Sequence, residues 1–288
     1  MMRRISIATA FLIIAVCILG SMFILPCRSA EAKTSRMKLP SKVVVDHMDE
    51  ESGEWKENYT VYYKYNKKGD IVRIDLRTPT DDGEQWIPSL ITYKYTKKGV
   101  KKSAIATDSY GVYVYEFDNK GRVKSVVLKG ITDKLGEYIT TSQEYKYDKK
   151  GNIVSRTWTT DDETYEVKKA TEKYTTKSKK NGSKTIKIVR TSWMGIKSTD
   201  TVKYSSKGLL SRKQTVYSEK DMDPEDWKYT YEMSKDGKYV QRRYSNEFGA
   251  RQRRTYTYGK IKASRSKYLN ILNLDEKSLI GNTRRNQM

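Results

Sequence analysis

Apolar and polar positions alternate in short runs along this chain, and most runs end in a turn. The stretch Tyr145–Val154, YKYDKKGNIV, shows the unit. Tyr145 and Tyr147 flank a lysine and so point to one face of an extended strand. Asp148 to Gly151 form a four-residue turn. Aspartate suits its first position because the side chain can bond the backbone ahead of it, and glycine suits its last because it accepts a positive φ. Ile153 and Val154 then restart a β-branched run. The pattern predicts a β-hairpin with a type I turn closed by a left-handed glycine.

The unit recurs as YKYNKKGDIV from Tyr63, YKYTKKGVKK from Tyr93 and YEFDNKGRVK from Tyr115, with weaker copies VKYSSKGLLS from Val202 and YEMSKDGKYV from Tyr231. Gly69, Gly99, Gly121, Gly151, Gly208 and Gly237 are the predicted turn glycines, and a lengthened copy adds Gly182. Such self-similarity marks repeated supersecondary units that bury their faces only against neighbours. Tyr59, Val61, Tyr63 and Tyr65 share one strand face. Val112 and Val114, by contrast, oppose Tyr113, Tyr115 and Phe117. A flat sheet would leave one such face wet, so the expectation is an all-β fold: antiparallel hairpin repeats in a long curved or folded-over meander sheet.

The motif Y-x-Y-D-x-x-G-x-[IV], clearest at Tyr145–Val154 and Tyr115–Lys124, resembles the YD repeat of bacterial Rhs-like secreted and cell-surface proteins. The resemblance runs from about Tyr59 to Ile261. It implies β-hairpin repeats in an exported bacterial protein, and it carries no catalytic residue over to this chain.

The N-terminus bounds the domain plan. Arg3 and Arg4 precede an apolar run that ends near Pro26, and Ala30-Glu31-Ala32 offers small residues for cleavage, so residues 1–32 read as a signal peptide. The apolar run is also long enough to span a bilayer if uncleaved. Either way the remainder is placed outside the cell: secreted, or anchored by this segment alone. Residues 33–42 read as a linker, 43–262 as the repeat domain and 263–288 as a C-terminal segment. Tyr268–Leu274 within that segment reads as a last strand or a short helix. Both cysteines, Cys17 and Cys27, fall in the removable segment, so the mature domain is expected to hold together without disulfides or cysteine-bound metal. His47, the only histidine, reads as an exposed loop residue.

The formal charge is +22, and removal of residues 1–32 takes away three arginines and one glutamate to leave +20. Lysine pairs occupy the tight turns: Lys67 and Lys68, Lys97 and Lys98, Lys149 and Lys150. Acids and tryptophans occupy the longer connections, as in DEESGEW before Trp55, DDGEQW before Trp86 and DMDPEDW before Trp227. In an up-and-down meander this alternation predicts a lysine edge opposite an edge carrying Asp81, Asp82, Asp161, Asp162, Asp221 and Asp223. The lysines are candidates for an anionic cell-wall polymer or polysaccharide, and Trp55, Trp86 and Trp227 are candidates for stacking on a glycan. No catalytic constellation, cofactor motif or metal site is expected, and the export signal disfavours nucleic acid as a partner. The leading reading is a non-catalytic, surface-associated binding protein. A structural or adhesin-like spacer without a small ligand, and a secreted hydrolase using the acidic edge, are the alternatives.

Overall fold

A computed structural model describes residues 36–80, 82–108, 111–129, 139–162, 165–192, 195–219, 222–247 and 250–273. The predicted signal segment lies outside the described residues. Two compact units are present: a central unit within residues 89–169, and a flanking unit within residues 36–88 and 170–272.

The flanking unit begins with β1 (Met37–Met48), β2 (Trp55–Tyr65) and β3 (Ile71–Thr80), and takes in the start of β4 (Gly83–Tyr95). The central unit holds the rest of β4 with β5 (Lys101–Asp108), β6 (Gly111–Phe117), β7 (Val123–Lys129), β8 (Ile139–Tyr147) and β9 (Ile153–Asp162). After β10 (Tyr165–Ser178) the flanking unit continues through β11 (Lys184–Thr191), β12 (Lys197–Tyr204), β13 (Leu210–Tyr217), β14 (Glu225–Met233), β15 (Val240–Glu247) and β16 (Ala250–Ala263). It finishes in helix α1 (Arg265–Leu272).

Sequence neighbours are neighbours in the sheet, and β1 pairs antiparallel with both β2 and β16, so the sixteen-stranded order closes as a barrel. This corrects the expected open or folded-over meander. The closing strand is the reason. β1 is a 12-residue strand that starts at Met37, inside the stretch 33–42 that reads as linker from sequence. Val43 sits between Val61 of β2 and Tyr256 of β16, which leaves no free edge on this side. His47 is likewise half-buried in β1 rather than placed in a loop.

The hairpins explain the repeat. Gly69 has φ +74°, its amide donates to the Asn66 carbonyl at 2.9 Å, and the Asn66 amide donates to the Asp70 carbonyl at 2.9 Å. Asn66 Oδ1 also accepts the amides of Lys68 and Asp70. The same pattern recurs with Asp118 and Asp148, and Thr96, Ser205 and Ser234 use a hydroxyl in the same place. An acceptor side chain at the first turn position is therefore what D, N, T and S share.

A bulge follows each of these turns. Tyr65 pairs with Ile71 and Lys64 with Arg73, so Val72 is an extra residue in its strand. Equivalent shifts follow Tyr95, Phe117, Tyr147, Tyr204 and Met233. The inserted residue resets the side-chain alternation, so Ile71 and Ile74 both bury although three residues apart. Tyrosine hydroxyls then tie one hairpin to the next. Tyr147 donates to the carbonyl of Val123, Tyr231 to that of Leu210, Tyr258 to that of Val240 and Tyr65 to that of Pro40. The acceptors Val123, Leu210 and Val240 are the first strand residues after the preceding tight turn.

One face of each unit is packed. In the central unit it is built from Ala104, Ala106, Tyr113, Tyr115, Val126, Leu128 and Tyr145. In the flanking unit Val43, Val45, Val61, Val202, Tyr229 and Tyr256 do the same, joined by Tyr268, Leu269, Ile271 and Leu272 of α1. The helix is fixed by polar bonds as well. Tyr268 Oη accepts the amide of Val240, buried Arg243 donates to the Leu272 carbonyl, and Lys267 reaches Asp70 at 2.7 Å.

Candidate binding surfaces

Charge governs the outward faces. In the flanking unit, the transverse row Thr175–Lys187–Thr201–Gln214–Asp226 crosses β10 to β14, and the next row contains Lys203, Arg212 and Lys228. Arg212 grips Asp226 through two bonds, Nε to Oδ1 at 2.7 Å and Nη2 to Oδ2 at 2.6 Å. The bond from Arg212 holds the Asp226 carboxyl below the usual carboxylate range. In the central unit Lys94, Glu116, Glu144 and Lys146 are exposed on strand interiors or ends.

The lysine turns are exposed. In the central unit, antiparallel pairing from β4 to β9 puts Lys97, Lys98, Lys149 and Lys150 at one end. The β5–β6 turn and the Asp161–Asp162 end of β9 lie at the other. In the flanking unit Lys67 and Lys68 lie at the α1 end, while Asp82 and Asp223 lie at the opposite strand ends. Asp81 and Asp221 fall outside the described residues. Asp226 is paired with Arg212, and among the described residues no three His, Cys, Asp or Glu side chains converge as a metal site. All six predicted turn glycines have positive φ, from 66° at Gly237 to 86° at Gly151.

The three tryptophans part company. Trp227 is only 4% exposed and packs within β14, so it cannot stack on a glycan, contrary to expectation. The reason is parity: Trp227 shares a strand face with buried Tyr229. Trp55 is half-buried, with the Arg253 guanidinium 4.8 Å from its ring centre and Tyr244 against it at 6.3 Å. Trp86 is 50% exposed, yet it lies stacked on Tyr62 at 5.6 Å and 24°.

Around Trp86 the polar groups are locked. Its Nε1 donates to Glu84 Oε2 at 3.3 Å, and Arg77 bridges Glu84 at 2.8 Å and Glu57 at 2.5 Å. Thr60 donates to Glu57 at 2.7 Å. Burial alone would raise the Glu57 carboxyl, but the bonds from Thr60 and Arg77 hold it below the usual carboxylate range. Lys42 sits 5.5 Å from the Tyr62 ring centre. Sequence reading passed over Tyr62, Arg77 and Glu57. Of these, Tyr62 alone carried a signal, the parity of β2, which puts this aromatic on the face opposite Tyr59, Val61 and Tyr63.

No known protein family and no curated protein sequence matches the chain. Among solved structures it is similar to a porin-like protein from Bacteroides uniformis, with a TM-score of 0.50 and 14% identity over 76% of this chain and 98% of that one. A porin-like protein from Bacteroides vulgatus aligns over 78% of this chain and 100% of that one, with a TM-score of 0.48 and 10% identity. The resemblance to YD-repeat proteins is thereby overturned. The motif reports a local hairpin with its acceptor side chain and tyrosine tie, and those devices serve any antiparallel meander. Closure by β1 and β16 makes the fold a barrel, and the fold shared with the B. uniformis protein is all-β.

Proposed function

We propose that the chain is a non-catalytic barrel of the bacterial cell envelope that works in water and holds an anionic envelope polymer at its lysine turns. The observation that carries the reading is the charge on the outward strand faces. Lys187, Lys203, Arg212 and Lys228 lie on exposed or half-exposed strand positions rather than beyond the strand ends. In a membrane barrel these positions would face lipid, where each Lys or Arg near the midplane costs ~2–4 kcal/mol. Export rests on the signal-like segment 1–32, and affinity for polyanions on the exposed lysine pairs and the charge of +20 that remains without that segment.

Two measurements test this. Expressed with its own leader, the protein should be released from washed envelopes by alkaline carbonate. Retention as a detergent-requiring, heat-modifiable species would replace this reading with the second one. Binding to alginate or wall teichoic acid should weaken steeply with salt, because exposed charges are screened beyond roughly 8 Å at physiological ionic strength. Charge reversal at Lys67, Lys97 and Lys149 together should abolish it. Unaltered binding in that variant would leave a spacer without a polymer ligand.

The second reading is a membrane-inserted barrel of porin type. It is favoured by the likeness to the porin-like protein from Bacteroides uniformis.

A further inference from the structure

The patch on β2–β4 differs in its chemistry from the lysine turns. We propose that Trp86, carried on Tyr62, is a stacking platform for a pyranose ring of an uncharged oligosaccharide, with Glu84 and Arg77 as hydrogen-bonding partners for the sugar hydroxyls.

Preorganisation is the first argument. A half-exposed indole normally samples several rotamers. Here one ring face rests on Tyr62, the Nε1–H is held by Glu84, and half of the residue's surface stays open to solvent. An apolar plate fixed in water suits a ligand that brings one apolar face and many hydroxyls, which is what a pyranose offers. Trp55 lacks this opening because Arg253 lies over its ring.

The second argument is the polar rim. Glu84 accepts from Trp86 through Oε2 and from Arg77 through Oε1, and its side chain is still 50% exposed. Arg77 is clamped between Glu84 and Glu57. A planar carboxylate beside a planar guanidinium offers acceptors and donors in fixed positions to vicinal hydroxyls. The formal charges of Lys42, Arg77, Glu57 and Glu84 cancel. The carboxylate at the indole is Glu84, so an anionic sugar would meet like charge there, unlike at the lysine turns.

The test is affinity electrophoresis toward the cathode in native gels containing dextran, galactomannan, xyloglucan or mixed-linkage β-glucan, with alginate as the anionic probe. At least one neutral polysaccharide should retard the wild-type protein, and added salt should leave that retardation unaltered. Trp86→Ala should weaken it at least ten-fold, Trp86→Phe should keep most of it, and Glu84→Gln should weaken it less than Trp86→Ala. All three should melt close to wild type, because the ring is outside the core. The variant reversed at Lys67, Lys97 and Lys149 should bind the neutral polysaccharide normally, so loss of polyanion binding leaves this inference standing. No retardation by any neutral polysaccharide, equal retardation of Trp86→Ala and wild type, or retardation that salt abolishes would overturn it.

Discussion

The hydroxyl of Tyr147 donates to the carbonyl of Val123 at 2.7 Å, joining residues 24 apart in sequence. Val123 is fully buried at the start of β7, immediately after a tight turn. Burial pushes the Tyr147 phenol well above its usual pKa, so it stays a donor at any physiological pH. Tyr147→Phe keeps the ring and leaves the carbonyl without this partner. A buried acceptor so exposed typically costs ~1–3 kcal/mol. Urea titration should show that loss, whereas Tyr244→Phe, whose hydroxyl makes an exposed 3.4 Å contact with Glu232, should change stability by less than ~0.5 kcal/mol.

How much of this was legible in the sequence follows from the range of each interaction. The tight turn at Asp148–Gly151 is specified within five residues, so its acceptor and its left-handed glycine can be read directly. The bulge is set by the same turn but shows only as a change of parity. Ile71 and Ile74 are both buried although three residues apart, which simple alternation after the glycine does not foresee. Closure is a long-range property. It depends on Val43 finding Tyr256 across more than two hundred residues, and no local pattern encodes that pairing. The stacking site divides in the same way: Trp86 stood out by its composition, whereas Tyr62, from a different strand, and Glu57 and Arg77, 20 residues apart, meet only in the fold.

Two turn glycines with the same backbone conformation should differ in what they tolerate. Gly69 and Gly237 have φ of +74° and +66°, a region that asparagine enters more readily than other side chains. A Cβ on Gly237 would meet nothing within 4 Å, whereas one on Gly69 would lie 2.7 Å from the Cβ of Ala263. Gly237→Asn should therefore cost less than ~1 kcal/mol. Gly69→Asn should cost more than ~2 kcal/mol, because strand β16 must move to admit it. Thermal melts of the pair, with the double variant Gly69→Asn/Ala263→Gly recovering part of the loss, would check that space rather than φ makes the difference.

Acid should loosen the turns through Asp118. Burial alone would raise its carboxyl, but the Arg122 side chain and the amides of Arg122 and Lys120 outweigh it, so the folded-state pKa lies below the ordinary value. A depressed carboxylate contributes stability that is fully present above the unfolded pKa of about 3.9 and is lost as pH falls through the folded value. Stability should thus decline below about pH 4. Asp118→Asn should be less stable than wild type at pH 7, with the gap narrowing toward pH 2. A gap independent of pH would mean that the geometry of the turn, and not the charge, is what Asp118 supplies.

Helix α1 should prove integral to the flanking unit and not an ornament at its end. Leu272 is completely buried, and its carbonyl accepts from buried Arg243. Leu269 lies so close to the turn glycine Gly208 that a Cβ there would fall 2.8 Å from its Cδ1. Leu272→Ala should cost ~2–5 kcal/mol. Removing residues 265–288 should cost more, since it also uncovers Arg243 and takes Lys267 from nearly buried Asp70. Hydrogen exchange in β1, β15 and β16 would report the change directly, and unaltered protection there would show that the helix merely rests on the strands.

The most informative substitution is at Arg190. Its guanidinium lies between two carboxylates on neighbouring strands, with Nε 2.5 Å from Glu172 and Nη1 2.5 Å from Asp200, whose side chains are each 1% exposed. Tyr174 also donates to Glu172. Burial would lower the pKa of the arginine, but Glu172 and Asp200 raise it above its ordinary value, so the cation is permanent. Arg190→Met fills similar space and removes the charge, leaving two buried carboxylates facing each other. Breaking such a buried set by one partner typically costs ~3–5 kcal/mol. The penalty belongs to the two uncompensated charges, so removing those charges should relieve it. The triple variant Arg190→Met/Glu172→Gln/Asp200→Asn removes every charge at once and should recover most of the stability at pH 7. Chemical denaturation of wild type, single and triple variants separates the two accounts. An unstable single variant with no recovery in the triple would mean that Arg190 acts by filling space and that the charges on β10, β11 and β12 are incidental.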